Sequence, residues 1–355
     1  LNDRLSGEFY LQDRLKMSDE SAFTAASHRP TLLAAFAPFL IEPVFTARIW
    51  GFHDLRPWFD VVAEGDPIGE AWLTGDHCAV VSGVHKGKRL GEVFGEFYRS
   101  MLGPGAPVNE SPLLIKVLFA REKLSVQVHP DDALAQKYGF PRGKTECWYA
   151  LAAEPGAEVA AGVKPGTTLE QIEQGIRGGT LENYLNVLPI CKGDMVYVDA
   201  GTVHAIWPGA ILLETQQNCD LTYRMYDYGR PRELHVEKSL EATRLKTRAG
   251  KVAPSELADR TVLLDADYFR VERIAVKGSR SSASLRGDGP SGLAYLFAAE
   301  GRGRIAGPDF EPIMLEPRSI AAVPAAAPEF AVQDLNGPGG GLELIRITPS
   351  WPARQ

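Results

Sequence analysis

The sequence predicts a mainly β protein of two jelly-roll barrels, with a few helices inserted in its first half. Two observations carry this expectation. From Pro43 onward the chain is a succession of short apolar runs broken by Gly and Pro, and the helical patterns among them gather in the first part of the chain. Neither alternating βαβ units nor a short-period repeat is visible. At 355 residues the chain is comfortable for two domains and can bury a substantial core. The boundaries read as residues 1–40 for an N-terminal extension, 41–255 for the first barrel with its helices, and 256–355 for the second.

Taken in order, residues 21–40 form an alanine-rich lead-in, and those before Met17 carry no functional expectation. A helix is expected over 89–102, because Leu90, Val93, Phe94, Phe97, Tyr98 and Met101 recur at the spacing of one helical face, and Gly103-Pro104-Gly105 ends it. Two strand-like runs follow, Leu113–Ala120 and Leu124–Val128, joined by the polar turn Arg121-Glu122-Lys123. Asp131–Tyr138 and Thr168–Ile176 read as short helices, the second opening on a Thr168…Gln171 capping box. Beyond Gly193 strands and turns return in MVYVDAG, AIW, ILLET and LTYRMYDY. Glu237–Lys251 reads as helix or linker, and a second all-β stretch runs from about Thr261 to Ile347 with glycine-rich turns at 301–303 and 337–341.

Composition narrows the function classes. No apolar run approaches the ~18 residues that cross a bilayer, and no secretory leader pattern is seen. The four cysteines (Cys78, Cys147, Cys191, Cys219) are scattered without a C-x-x-C pair. That spacing argues against a thiolate metal site or a disulfide framework and fits a reducing cytoplasm. A net charge of −7 disfavours nucleic acid as a partner but leaves an anionic small molecule open.

Three stretches carry polar residues where a barrel strand has no need of them. In LSVQVHPDD, side-chain alternation puts Leu124, Val126 and Val128 on one face and Ser125, Gln127 and His129 on the other. That second face looks either at water or into a cavity. In GKTECWYAL, Lys144 and Glu146 enter an apolar run, where charged residues are seldom buried unless paired or metal-bound; a strand-edge ion pair is the plainer alternative. In GDMVYVDAGTVHAI a strand runs into a Gly201 turn that would fix the backbone before His204 and aim its ring inward. Gln127, His129, Glu146 and His204 together supply two imidazoles, a carboxylate and an amide oxygen. That set suits Zn²⁺ with a position left for water or substrate, and Mn²⁺, Fe²⁺, Co²⁺ or Ni²⁺ fits the same donors.

The same stretches, LLIKVL, LSVQVHPDD, GKTECWYAL, GTVHAIWPGAILLETQQNCDLTYRMYDYGR and RELHVEKSLE, closely resemble type I phosphomannose isomerases of the short bacterial form. IWG near Trp50 and IGEAW at 68–72 extend the resemblance, which runs from about Ile49 to Glu241. It implies a cupin fold with one zinc ion, held by Gln127, His129, Glu146 and His204. Gln127 is the least secure of these, because the short form is often described with two histidines and the glutamate alone. The resemblance further implies an active-site arginine at Arg224, with Lys144 and Glu214 around the sugar. Two departures stand out. IWGF occupies the place where two glycines usually follow the tryptophan, and Asp199 replaces proline in the cupin pattern from Gly193 to His204. With no histidine after His235, the second barrel is expected to hold no catalytic metal and to pack against the first.

The implied reaction interconverts mannose 6-phosphate and fructose 6-phosphate by moving a proton between C1 and C2 through an enediol. Glu214 is the first choice of base, since a partly buried carboxylate can be raised toward neutrality; its alternative role is to orient a metal ligand. Lys144, if neutral, is the second. Zinc with Arg224 or Lys144 would stabilise the oxyanion, and Lys116, Ser125, Lys144 and Arg224 are the candidate donors to the sugar phosphate. For Arg224 the alternative is an ion pair with Asp220 or Asp227, and His235 reads as structural. The same family could act on another sugar or sugar phosphate. A cupin oxygenase using Fe²⁺ and a non-catalytic sugar-binding cupin are the rival classes.

Overall fold

The computed structural model describes residues 36–286 and 292–351, so the expected extension lies outside the described residues up to position 35. Four sheets lie in layers. Sheet I has five strands, in the order Tyr223–Tyr226, Val126–Val128, His204–Ile206, Glu158–Val163 and Leu185–Pro189. Sheet II has seven: Gly250–Val252, Met195–Val198, Glu146–Ala153, Ala210–Gln217, Leu113–Ala120, Ile68–Trp72 and Val44–Phe52. Sheet III also has seven, with Ala294–Glu300 and Leu342–Pro349 near its centre, and the four-stranded sheet IV closes the second barrel. This is the mainly β, cupin-like architecture expected, with strand Phe39–Ile41 already paired to Ile320–Val323 of sheet III.

Side-chain alternation builds the layers. Along Leu113–Ala120, Leu113, Ile115, Val117 and Phe119 pack toward sheet III, while Leu118 and Ala120 face sheet I. Along Glu146–Ala153, Cys147, Tyr149 and Leu151 face sheet III, whereas Trp148 and Ala150 face the first barrel's interior. Sheet II is therefore buried on both faces, which is why its strands read as continuous apolar runs and not as polar–apolar alternation. The outer face of sheet I (Val126, Val128, Ala205, Tyr223, Met225) is covered by Ile172, Ile176 and Ala242 of the helices Leu169–Gly178 and Val236–Ala242.

The expected helices form close to their signals. Leu90–Leu102 buries Leu90, Val93, Phe94 and Met101 and ends at Gly103, whose φ of 92° only glycine adopts readily. Asp132–Lys137 is capped by the Asp131 side chain, which accepts from Leu134 N–H at 2.8 Å. The Thr168–Gln171 capping box is present on Leu169–Gly178. One detail differs. The strand expected over Leu124–Val128 is regular only over Val126–Val128. Leu124 therefore breaks the alternation and packs with Trp50 on the inner side instead of with Val126 and Val128 outside. The turn at 121–123 thus carries the chain from sheet II across to sheet I.

Candidate metal centre and sugar-phosphate cavity

Strand register brings the distant motifs together. In sheet I, His204 lies directly opposite Gln127, and Gln127 directly opposite Arg224, so all three project from one face. In sheet II, Glu214 lies opposite both Lys116 and Trp148, and Gln216 opposite Glu146. The two rows face each other across the first barrel and line a cavity of 470 Å³. Every residue singled out in the sequence lines it: Lys116, Ser125, Gln127, His129, Lys144, Glu146, His204, Glu214 and Arg224.

The ligand atoms of His129, Glu146 and His204 all lie within 4.8 Å of one another, and all three residues are buried. His129 Nε2 is 3.4 Å from Glu146 Oε2, and His204 Nε2 is 3.5 Å from Oε1. The opposite edges of both rings are engaged. Nδ1 of His129 lies 3.0 Å from the Leu221 carbonyl and Nδ1 of His204 lies 2.9 Å from that of Thr202. A carbonyl only accepts, so each Nδ1 carries the proton and each Nε2 turns a lone pair inward. Burial, and next the Lys144 ammonium, push the His129 imidazolium down to about 3; burial likewise lowers His204, so both rings stay neutral. Glu146 is the converse: burial would raise it, but the Lys144 ammonium holds its carboxyl well below the ordinary range.

Two neutral imidazoles and a carboxylate, with His129 Nε2 buried and without a hydrogen-bond partner, are the donor set of a divalent transition metal. Gln127, half-buried beside them, donates from Nε2 to the Ser125 carbonyl at 3.4 Å. The Gly201 turn sets His204 as the sequence implies. Gly201 has φ 89°, and a Cβ there would lie 2.7 Å from Arg244 Cγ. Its N–H donates to the His129 carbonyl at 2.8 Å, tying together the two loops that carry His129 and His204.

Lys144 pairs with Glu146 Oε2 at 3.1 Å, and the pair is buried where the central strand Glu146–Ala153 of sheet II begins, not at a sheet edge. Burial would lower Lys144, yet Glu146, Glu214 and Asp220 outweigh it and hold the ammonium above its ordinary value. The reading of Lys144 as a neutral base therefore gives way to one of a charged donor. Glu214 is raised, first by burial and then by Glu146, and lies 3.4 Å from Lys116 Nζ. The ion pairs proposed as an alternative for Arg224 do not form. Asp227 is taken by Arg232 and Arg230, Asp220 by Lys116. Arg224 instead donates from Nη1 to the Glu233 carbonyl at 2.9 Å. His235 holds Arg224 by its backbone, its Nδ1 accepting from Arg224 N–H at 3.1 Å, and lies off the cavity.

The chain matches known proteins along most of its length. A model of the phosphomannose isomerase type I catalytic domain matches residues 47–172. The mannose-6-phosphate isomerase of Streptococcus mutans is 35% identical over 279 residues, covering 75% of this chain and 86% of that one. Mannose-6-phosphate isomerase ManA of Bacillus subtilis is 37% identical over 280 residues, covering 75% and 87%. The chain belongs to the type I phosphomannose isomerase family. A crystal structure of mannose 6-phosphate isomerase from Bacillus subtilis superposes with a TM-score of 0.77 at 31% identity, covering 88% of this chain and 99% of that one.

Set within this phosphomannose isomerase fold, the departure at IWGF is local. A Cβ at Gly51 would lie 2.1 Å from the Ile68 carbonyl oxygen, so the first glycine is required, whereas Phe52 ends a strand and stacks against Arg121. Sequence reasoning missed Arg48, Glu70, Asp220 and Arg232, which also line the cavity. Glu70 carried the same signal as Glu146, a carboxylate inside an apolar strand. It accepts from Arg48 at 2.9 Å and from the Trp72 indole at 2.7 Å, and Lys116 sits over the Trp72 ring. Among the described residues no helix is long and apolar enough to cross a membrane.

Proposed function

We propose that this protein interconverts mannose 6-phosphate and fructose 6-phosphate, with one Zn²⁺ held by His129, Glu146, His204 and Gln127. The observation that carries the reading is the buried triad of two neutral imidazoles and a carboxylate, its His129 Nε2 meeting no hydrogen-bond donor, in a member of this family and inside the same cavity as Lys144, Glu214 and Arg224. When bound, a divalent metal supplies Lewis-acid stabilisation of charge on the sugar oxygens. Mn²⁺, Fe²⁺, Co²⁺ and Ni²⁺ compete for the same donors.

The chain's own residues supply the rest. Glu214 removes the proton from C2 of the aldose and returns it at C1, while the hydroxyl proton of O2 passes to O1 across the intervening enediol; burial raises the basicity of Glu214 toward the working range. Charged Lys144 and the Arg224 guanidinium donate to the oxygen on which negative charge develops. Lys116, salt-bridged to Glu214, keeps that carboxylate aimed into the cavity, and Lys116, Ser125, Lys144 and Arg224 bind the substrate. In this reading residues 41–255 carry the chemistry, and 256–355 pack against them without catalytic metal. The described cysteines are free, three of them buried, which suits a reducing cytoplasm.

A coupled assay for fructose 6-phosphate formed from mannose 6-phosphate tests the proposal on chelator-treated protein. Activity should vanish on chelation and return with Zn²⁺. No turnover by fully metallated protein would defeat the substrate assignment.

A further inference from the structure

Lys144 and Glu146 face the active-site cavity, and Thr145 stands between them on the opposite side of the chain. It is buried, and one residue holds both of its backbone groups. Its N–H donates to Gln217 Oε1 at 2.9 Å, and its carbonyl accepts from Gln217 N–H at 3.1 Å. These two bonds fix the peptide plane that enters Thr145 from Lys144 and the one that leaves it for Glu146. The Thr145 hydroxyl oxygen accepts from Ala200 N–H at 3.2 Å, just before the turn that carries His204.

Gln217, also buried, ends the strand Ala210–Gln217 that carries Glu214. A side-chain amide can present oxygen or nitrogen to its neighbour, and only the oxygen serves Thr145 N–H. Asp132 makes the choice. Gln217 Nε2 donates to Asp132 Oδ1 at 3.0 Å, and a carboxylate only accepts, so the flipped amide would lose both bonds. The same Oδ1 accepts from Gly143 N–H at 2.8 Å, one residue before Lys144.

Asp132 has a partner from the C-terminal half. The Tyr268 hydroxyl donates to Asp132 Oδ2 at 2.8 Å, and the Tyr268 carbonyl accepts from Ser350 N–H at 2.9 Å. Asp132, Gln217 and Tyr268 line a second cavity of 570 Å³ and not the first. What they do for a sugar bound at the triad therefore passes through Thr145.

We infer that Asp132, held by Tyr268 of the C-terminal half, is a positioning residue for Lys144 and Glu146, acting through the Gln217 amide and Thr145. The second barrel thereby contributes to the site as well as to the shared core. This rests on the isomerase reading and its metal triad. A role confined to joining the two halves would lower the unfolding midpoint and leave the affinity for Zn²⁺ unmoved.

Zinc affinity of the full chain, measured by competition with a chromophoric chelator, decides the matter, with mannose 6-phosphate kinetics alongside. In Asp132→Ala the dissociation constant of Zn²⁺ should rise about tenfold to a hundredfold and kcat should fall within the same range, KM changing less. Asp132→Asn keeps an oxygen for Gln217 and Gly143 and should recover most of the loss. Tyr268→Phe keeps the ring and removes one bond further out, so about threefold to tenfold is expected in both quantities. A wild-type zinc constant in folded Asp132→Ala or Tyr268→Phe would overturn the inference. Asp132→Asn as weak as Asp132→Ala would overturn it too, because charge and not orientation would then be at work. Should Asp132→Ala fail to fold, Tyr268→Phe carries the test. Wild type that holds Zn²⁺ without turning over mannose 6-phosphate defeats the isomerase reading alone, and the zinc constants still decide the role of Asp132. Wild type with no affinity for Zn²⁺ overturns the metal site and the inference with it.

Discussion

Glu146 in the first barrel and Glu272 in the second are both buried carboxylates on strands paired on either side, yet their surroundings differ in kind. Glu272 Oε2 accepts from Arg346 Nε at 2.7 Å and Oε1 from Arg260 Nε at 2.8 Å. Arg346 spends its Nη1 on the carbonyls of Ser284 and Arg286. Charge there is met by charge. Glu146 has a single cationic partner in Lys144, and faces two imidazoles that burial keeps neutral. The His129 Nε2 is left without a hydrogen bond beside an open cavity. The same fold therefore uses buried charge in two ways, as a bolt where a carboxylate is matched by guanidinium groups and as a receptor where it stands beside neutral imidazoles.

The comparison can be broken from either side. In the first barrel, His204→Ala should abolish metal retention and lower isomerase activity by about three orders of magnitude, while the unfolding midpoint of the metal-free protein stays close to wild type. Elemental analysis beside the coupled assay reads both, and stoichiometric metal in the variant would remove His204 from the site.

Glu214→Gln should keep the metal and lower kcat by about 10²–10⁴, the ordinary worth of a positioned base. Because burial and Glu146 raise this carboxyl, the acid limb of wild-type kcat/KM should fall at a pH above the usual carboxylate range, as the base takes up its proton. The same sign governs stability. In the metal-free protein the residue's contribution is complete below the unfolded carboxylate value, and is lost as pH rises through the raised one. A wild-type pH–rate profile flat across that range would rule Glu214 out as the base.

Glu272→Ala, in the second barrel, should cost about 3–5 kcal/mol because it removes the buried carboxylate that accepts from both Arg346 and Arg260. Urea unfolding measures the loss, and kcat per folded molecule should be unchanged. Replacing both Glu272 and Arg346 with apolar residues should recover much of that stability.

The site was far more legible in the sequence than the layering around it. Polar residues in apolar strands are expensive, so Gln127, His129, Lys144, Glu146 and His204 stood out against their neighbours, and each lines the cavity. Arg232 and Asp220 lie in polar loops, where a charge raises no question. Glu70 shows that a valid signal can be passed over when it stands alone. Pairing order was hidden for a different reason. Residues 113–120 and 126–128 are adjacent in sequence but lie in separate sheets, and both faces of sheet II are apolar, so periodicity could not say which face met which neighbour.

That doubly buried sheet also limits how the protein can be taken apart. The back of the wall that carries Lys116, Glu146 and Glu214 is the apolar surface of Ile115, Val117, Cys147, Tyr149 and Leu213, covered by Phe297, Ile345 and Ile347 of the C-terminal half. Cutting the chain after the first barrel would hand that surface to water and leave a sticky half-molecule. The half that carries the histidine–glutamate triad is consequently no portable module. Drift in the C-terminal sequence is constrained by solubility on one side of a shared wall and by chemistry on the other.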